Sequence, residues 1–387
     1  MHELRVPEPA APGRRVSGPG DREVPAAARR GFASDNYAGA HPEVLAALAA
    51  ANTGHQPAYG DDEWTARLQG LVRAEFGDRA QAFPVFNGTG ANVVALQALL
   101  PPWGAVVCAE SAHIHHDEGG APERVAHTKL YPVPTPDGRL TPELVDRQAH
   151  GLGFVHRAQP AVVEIAQVTE LGTVYTPAQV RELADHAHAL GMAVYMDGAR
   201  LANAAAALGV PLRSFTTDAG VDVVSLGGTK NGALGAEAVV VLDPDAVRSG
   251  AEGPGKAVEY LRKSSMQLAS KMRFVSAQLV ALLTDGLWLR SAAHANAMAA
   301  RLADGVRDLE GVTLTQEPAA NQVLAVLDPA VADAVRARYA FYDWDAARHE
   351  VRWMTSWDTT EEDVDGFLAA LRAELAARDR SPAGADR

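Results

Sequence analysis

Short, nearly continuous apolar runs recur through the first two thirds of the chain, at residues 105–108, 161–166, 193–196, 221–226 and 238–242. Runs this short and rich in valine, without the alternation of a half-exposed strand, are what strands buried on both faces require. Helical patterns lie between them. The clearest spans 176–190, with Thr176 as N-cap, Pro177 at the first helical position and Gly191 just past the end. Strands alternating with helices predict an α/β fold, a mostly parallel sheet covered by helices on both faces. After the breaker-rich stretch Ser249-Gly-Ala-Glu-Gly-Pro-Gly255, the spacing predicts one long helix over 257–283. Strand candidates at 312–315, 323–327 and 351–355 then precede a helix over 361–376, the pattern of a smaller C-terminal α+β domain. The expected division is a large domain 31–255, a connecting helix 256–285 and a small domain 286–378. Residues 1–30 and 379–387 lack periodicity and are expected to be disordered tails.

Composition narrows the class. At 387 residues and 47% hydrophobic, the chain has ample material for a buried core and more than one domain. A net charge of -13 without a dense basic stretch argues against nucleic acid or an anionic membrane as a standing partner. No window approaches the roughly 18 apolar residues of a membrane span, and the first residues lack an apolar signal core. The single cysteine, Cys108, follows Val106 and Val107 and reads as a core residue. One unpaired thiol fits a reducing compartment, so the expected location is cytoplasmic.

Candidate chemistry falls at the ends of the predicted strands, where open α/β sheets build their sites. Lysine is scarce in this chain, yet Lys230 stands in a glycine turn, Gly227-Gly-Thr-Lys-Asn-Gly232, after the run 221–226. Asp197 ends the run 193–196 and opens Asp197-Gly-Ala-Arg200. An amine that can bond to an aldehyde and a carboxylate that can hold a pyridinium nitrogen are the two protein groups pyridoxal phosphate needs. The turn Asn87-Gly-Thr-Gly90 before a helical run is suited to a phosphate, because free N–H groups and the helix dipole meet there. Glu110-Ser-Ala-His-Ile-His-His-Asp-Glu118 follows the run 105–108 directly.

These residues carry a resemblance. Ser34-Asp-Asn-Tyr37, His55-Gln-Pro-Ala-Tyr-Gly-Asp-Asp62, the Asn87 turn, Ala112-His113, Glu118-Gly-Gly120, Met196-Asp-Gly-Ala-Arg-Leu201 and Gly227-Gly-Thr-Lys-Asn231 together resemble the low-specificity L-threonine aldolases. The resemblance extends over about residues 32–376, including Leu268-Ala-Ser-Lys-Met-Arg-Phe274 and Arg352-Trp-Met-Thr-Ser-Trp357. It implies the fold-type-I architecture of pyridoxal phosphate enzymes, active sites built between subunits of a homo-oligomer (dimer or tetramer), and retro-aldol cleavage of an L-β-hydroxy-α-amino acid to glycine and an aldehyde. Carried over position by position, Lys230 matches the lysine that holds the cofactor and Asp197 the acid on its pyridine nitrogen. Gly88 and Thr89 match the phosphate turn, which Gly90 extends. His113 matches the histidine stacked on the ring, and Arg200 and Arg352 the arginines that take the substrate carboxylate, with Ser34 near the same group. His113, through a water near Glu118, is expected to take part in moving the hydroxyl proton. No metal is implied.

One stretch departs from that pattern. Where many members carry Asn-Thr-His after the third predicted strand, this chain has Ala166-Gln-Val-Thr-Glu-Leu-Gly172, so Gln167 or Thr169 is expected in the place of a second histidine. Other residues have plainer readings: His115 and His116 structural or solvent-facing, Tyr59, Asp61 and Asp62 at the site wall or a subunit contact, Arg273 either at a neighbouring subunit's phosphate or on a helix surface, Trp353 and Trp357 in the small-domain core. The nearest rival activities are an aminotransferase and a β-eliminating lyase. A rival of another class is a zinc hydrolase using His113, His115 and Asp117, which would leave Lys230 and Asp197 unexplained.

Overall fold

All five predicted runs of the large domain are strands, joined by two more: β1 Gln81–Val85, β2 Gly104–Ala109, β3 Lys129–Val133, β4 Gln159–Ala166, β5 Ala193–Asp197, β6 Val223–Gly227 and β7 Glu237–Val241. They form one sheet in the order β1-β7-β6-β5-β4-β2-β3. The two unanticipated strands are its edges, and each contains a proline, Pro84 and Pro132. Proline is tolerated where one side of a strand needs no ladder, and it also interrupts the apolar run by which a buried strand is read. β2, β3, β4, β5 and β6 pair in parallel, whereas β7 is antiparallel to both β6 and β1. The link from Gly227 to Glu237 is shorter than the crossover of about a dozen residues that a parallel pair needs.

The computed structural model describes residues 30–248 and 251–380, so the tails expected to be disordered lie almost wholly outside the described residues. Alternate strand positions feed two cores. Val106, Cys108, Val162 and Tyr195 pack beneath the Gly88–Leu99 helix, while Val107, Val163, Val194 and Met196 pack on the other side with helix Pro177–Ala189. Cys108 is buried as expected, and burial pushes its thiol pKa up, which suits a core residue rather than a nucleophile. Thr176 and Gln179 close a reciprocal capping box at the start of the Pro177–Ala189 helix. The single helix expected over 257–283 is two, Pro254–Ser264 and Arg273–Leu283. Met266 between them has φ 61, and Gln267 Oε1 accepts the N–H of Phe86 at 3.0 Å, so the break returns the chain to the Asn87 turn.

The C-terminal part has its own sheet: β8 Val312–Leu314, β9 Gln322–Leu327, β10 Tyr342–Asp345 and β11 Glu350–Met354, all antiparallel in the order β10-β11-β9-β8. Helices Leu287–Val306 and Glu361–Arg380 cover it. Phe32, far away in sequence, belongs to this core: its ring lies 4.8 Å from that of Phe367, and the N–H of Met354 donates to its carbonyl at 2.8 Å. The residues just after it are thereby brought to the small-domain side of the site. Trp353 is fully buried, 5.2 Å from the Phe367 ring. Trp357 is not in that core; it is half-buried, stacks on His41 at 4.5 Å and donates from Nε1 to Gly39 O. Trp353→Ala should destabilise the protein by about 3–5 kcal/mol in denaturant titration, nearer the lower figure because the buried indole N–H has no acceptor among the described residues. A loss below about 1 kcal/mol would mean the core collapses onto the vacancy. Among the described residues no helix is long and apolar enough to cross a membrane.

Candidate active site

The carboxyl ends of β4, β5 and β6 and the turn after β1 converge. Lys230 sits in the short helical turn Thr229–Asn231 that leaves β6. Glu237 at the start of β7 fixes this turn, accepting the N–H groups of Gly228 at 3.1 Å and Thr229 at 3.2 Å. Burial, and then the nearby Arg200 guanidinium, lowers the Lys230 pKa from the ordinary lysine value, with Asp35 and Asp197 opposing. Its amine makes no hydrogen bond or ion pair among the described residues. A desolvated amine of lowered pKa is more often neutral, the form that attacks an aldehyde carbon.

Asp197 ends β5 and is only 7% exposed. Its Oδ1 accepts the Ala199 N–H at 2.9 Å, and its Oδ2 accepts from Asn92 Nδ2 at 2.9 Å. Asn92 also donates to Glu118 Oε1 at 2.6 Å and accepts the hydroxyl of Tyr195. Glycine is required next to the acid, because a Cβ at Gly198 would collide with the Ser225 carbonyl oxygen.

At the Gly88–Leu99 helix start, Asn87 caps the first turn by accepting the Gly90 N–H at 2.7 Å. Gly90 therefore offers no amide to a phosphate, contrary to expectation. Its glycine is explained instead by Gln267, which a Cβ there would overlap. The amides of Gly88 and Thr89 have no acceptor among the described residues, and nothing lies within 4 Å of where a Gly88 Cβ would stand. That is an open anion seat of the kind helix starts provide.

His113 Nδ1 donates to Glu118 Oε1 at 2.9 Å. This hydrogen bond raises the His113 pKa above the ordinary histidine value, against the effect of burial. Glu118 Oε2 is buried and without a partner. Neither Gln167 nor Thr169 reaches the site. The Gln167 amide is held at both ends by the backbone of Tyr175, at 2.9 and 3.0 Å, and Thr169 Oγ1 bonds Thr173. The residue of that stretch found here is Glu170, whose Oε1 accepts the backbone N–H of His113 at 3.0 Å. His115 and His116 stack on each other at 4.6 Å, and among the described residues no cluster of three or more His, Cys, Asp or Glu could hold a metal.

Two arginines complete the site. Arg200 is forked by Asp35, Nε to Oδ2 at 2.7 Å and Nη2 to Oδ1 at 3.1 Å, and Asn321 donates to the same carboxylate. Burial lowers the Arg200 pKa, but Asp35 more than offsets this, so the net direction is upward. Only the remaining edge of the guanidinium is left for a ligand. Arg352, on β11, donates to Ala33 O at 3.3 Å and lies 5.2 Å from the Trp344 ring. Burial, then Arg200, lowers its pKa; its Nε is buried without a partner and no carboxylate pairs with it among the described residues. It lines a cleft of about 840 Å³ with Asp117, Leu171, Tyr342 and Trp344, while Lys230 and Asp197 lie off that wall. Ser34 caps the turn Asp35–Tyr37 by accepting the Asn36 N–H, between the Arg352 contact at Ala33 and the Arg200 contact at Asp35.

Away from these groups, Asp62 is structural, accepting the Thr65 N–H at the start of helix Glu63–Phe76. Tyr59 is exposed beneath Lys263, and Arg273 begins the Arg273–Leu283 helix with a buried, unpartnered Nε.

Pyridoxal phosphate fits this donor set: a half-buried amine and two helix-start amides without partners among the described residues, and an acid held by an amide at a strand end. The family model described as beta-eliminating lyase matches residues 31–330. The chain is 42% identical to a low specificity L-threonine aldolase of a Pseudomonas species (strain NCIMB 10558), over 89% of this chain and 98% of that one. It is 41% identical to the protein of the same description from Pseudomonas aeruginosa, with the same coverage. Among solved structures, a threonine aldolase of Leishmania major superposes with a TM-score of 0.82 at 27% identity, covering 89% of this chain and 99% of that one. A match that runs through the helix start at Gly88, the Asp197 strand end and the Lys230 turn, at this identity and length, places the chain in the beta-eliminating lyase family, with the low-specificity L-threonine aldolases.

Proposed function

We propose that this protein uses pyridoxal phosphate to cleave L-threonine, L-allo-threonine and related L-β-hydroxy-α-amino acids, reversibly, to glycine and an aldehyde. The observation that carries this reading is the 42% identity along 98% of a protein named for that activity. Bound here, the cofactor supplies an electron sink for the pair left on Cα when the Cα–Cβ bond breaks. The protein's own groups do the rest. Lys230 is the amine that would hold the cofactor through its aldehyde carbon. Asp197, held by Asn92, is the acid that would face the ring nitrogen and accept its N–H. Gly88 and Thr89 would donate to the phosphate, and His113 would pack against the ring. Arg352, with the open edge of Arg200 and with Ser34 nearby, takes the substrate carboxylate, which sets the angle of the Cα–Cβ bond to that plane.

The test is aldehyde and glycine release from L-threonine by the cofactor-loaded protein. Arg352→Ala should lower kcat/KM by about 10²-fold, mainly through KM, because it removes a charge the carboxylate pairs with while leaving Lys230 untouched. An unchanged KM would assign the carboxylate elsewhere. The family description keeps β-elimination as the second reading, and 2-oxobutanoate with ammonia from L-threonine, in place of glycine and aldehyde, would select it. We further read the chain as a cytoplasmic homo-oligomer, a dimer or tetramer. Tyr59, Phe86, Tyr260 and Met266 are exposed on segments next to the phosphate turn, an apolar rim that a second copy would cover.

A further inference from the structure

The loop after β4 brings a carboxyl group to the site that no sequence motif announces. Glu170 is anchored twice: Oε1 accepts the His113 N–H at 3.0 Å, and its carbonyl oxygen accepts Gln322 Nε2 at 2.9 Å from the small domain. No side chain among the described residues donates to its carboxylate. Asp197, His113 and Arg200 all lie within its electrostatic reach, as does Glu164 on β4, and its neighbour Leu171 lines the cleft beside Arg352. A substrate with its carboxylate at Arg352 and its amine at Lys230 would have its α-carbon between those points, leaving the β-carbon, one bond further on, to turn toward the Glu170 loop.

Most other polar groups nearby are committed, although Glu118 Oε2 and both Glu164 carboxylate oxygens are buried without a partner among the described residues. Asp35 is forked to Arg200, Gln167 is held by the Tyr175 backbone, and Thr169 bonds Thr173. The Glu118 hydrogen bond favours protonated His113, which makes the histidine the acid of the site rather than its base.

We propose that Glu170 is the base that takes the β-hydroxyl proton of the substrate. This rests on the aldolase reading. The carboxylate removes the O–H proton, the O–H electron pair becomes the second bond of the aldehyde carbonyl, and the Cα–Cβ bond breaks with its pair left on Cα. Cα then takes a proton and becomes the methylene of glycine, so the atoms of threonine are all found in glycine and acetaldehyde. Burial, joined by the charge of Asp197, pushes the Glu170 pKa up to about 7, although hydrogen bonds from the backbone, including that of His113, oppose it. The base works ionised, so kcat/KM falls as pH drops through about 7.

Glu170→Gln keeps an acceptor for the His113 N–H and removes only the titration. It should lower kcat/KM for L-threonine by about 10²–10³-fold and erase the acid limb of the pH profile. Exchange of the glycine α-hydrogen with deuterated solvent, which needs binding and activation at Cα but no hydroxyl, should persist. In the cofactor-free protein, the infrared carbonyl band of a carboxylic acid that titrates near neutrality should lose the Glu170 contribution in the variant. Asp117, which like Asp343 is an exposed carboxylate on the cleft wall, is a competitor, and Asp117→Asn should retain the acid limb. Equal loss of cleavage and exchange in Glu170→Gln would reduce Glu170 to positioning His113 and overturn the proposal. So would full cleavage in that variant, or loss of the limb in Asp117→Asn. A wild-type protein that releases no aldehyde from any β-hydroxy amino acid sinks the aldolase reading itself, and this role with it.

Discussion

Lys230→Ala is expected to yield a colourless protein that binds pyridoxal phosphate only reversibly and cleaves L-threonine at least about 10³-fold more slowly. The lysine amine is half-buried, without a partner among the described residues and lowered in pKa, which are the conditions of a nucleophile rather than of a structural cation. The fold should not notice the change. Glu237 holds the turn through the N–H groups of Gly228 and Thr229, and neither bond involves the lysine side chain. Visible absorption, aldehyde release and a thermal melt therefore separate the outcomes. Colour and turnover lost with the melting temperature kept supports the assignment, and turnover retained would overturn it.

The second large effect is expected at Asp197. Asp197→Asn preserves shape and can still meet Asn92, but it cannot remain negative at the ring nitrogen. With that nitrogen unprotonated the electron sink weakens, so kcat should fall by about 10²–10³-fold and the cofactor should bind less tightly. A neutral amide in a site only 7% exposed is no burden to folding, so little stability should be lost. If kcat stays within about threefold, Asp197 is no more than a hydrogen-bond anchor for Asn92 and the sink is tuned by another group.

Much of the fold was legible because its signals are local. The five predicted strands are buried on both faces and contain almost nothing but apolar residues, and Thr176 with Gln179 marks its helix start within four positions. The edge strands β1 and β3 were illegible because Pro84 and Pro132 interrupt the pattern, and the long predicted helix failed because periodicity continues across 265–272 where the backbone does not. Asn92 had a signal that went unused: it is a lone amide in an otherwise apolar stretch of its helix, buried under the sheet end. Glu170 had none, since a glutamate in a polar loop looks the same whether it faces water or an active site.

Sequence alone determined the groups that must stand in turns: Lys230 among its glycines, Asp197 before Gly198, the open amides after Asn87. Each depends on backbone geometry set within a few residues. Only the tertiary structure decided which carboxylates matter and in what state. Asp35 reaches Arg200, Glu118 reaches Asn92, and Glu170 reaches the His113 backbone, all through contacts between separate strands and loops. The acidity of a carboxyl group is set by the water it loses and the charges it meets, and both are properties of the assembled fold rather than of neighbours along the chain.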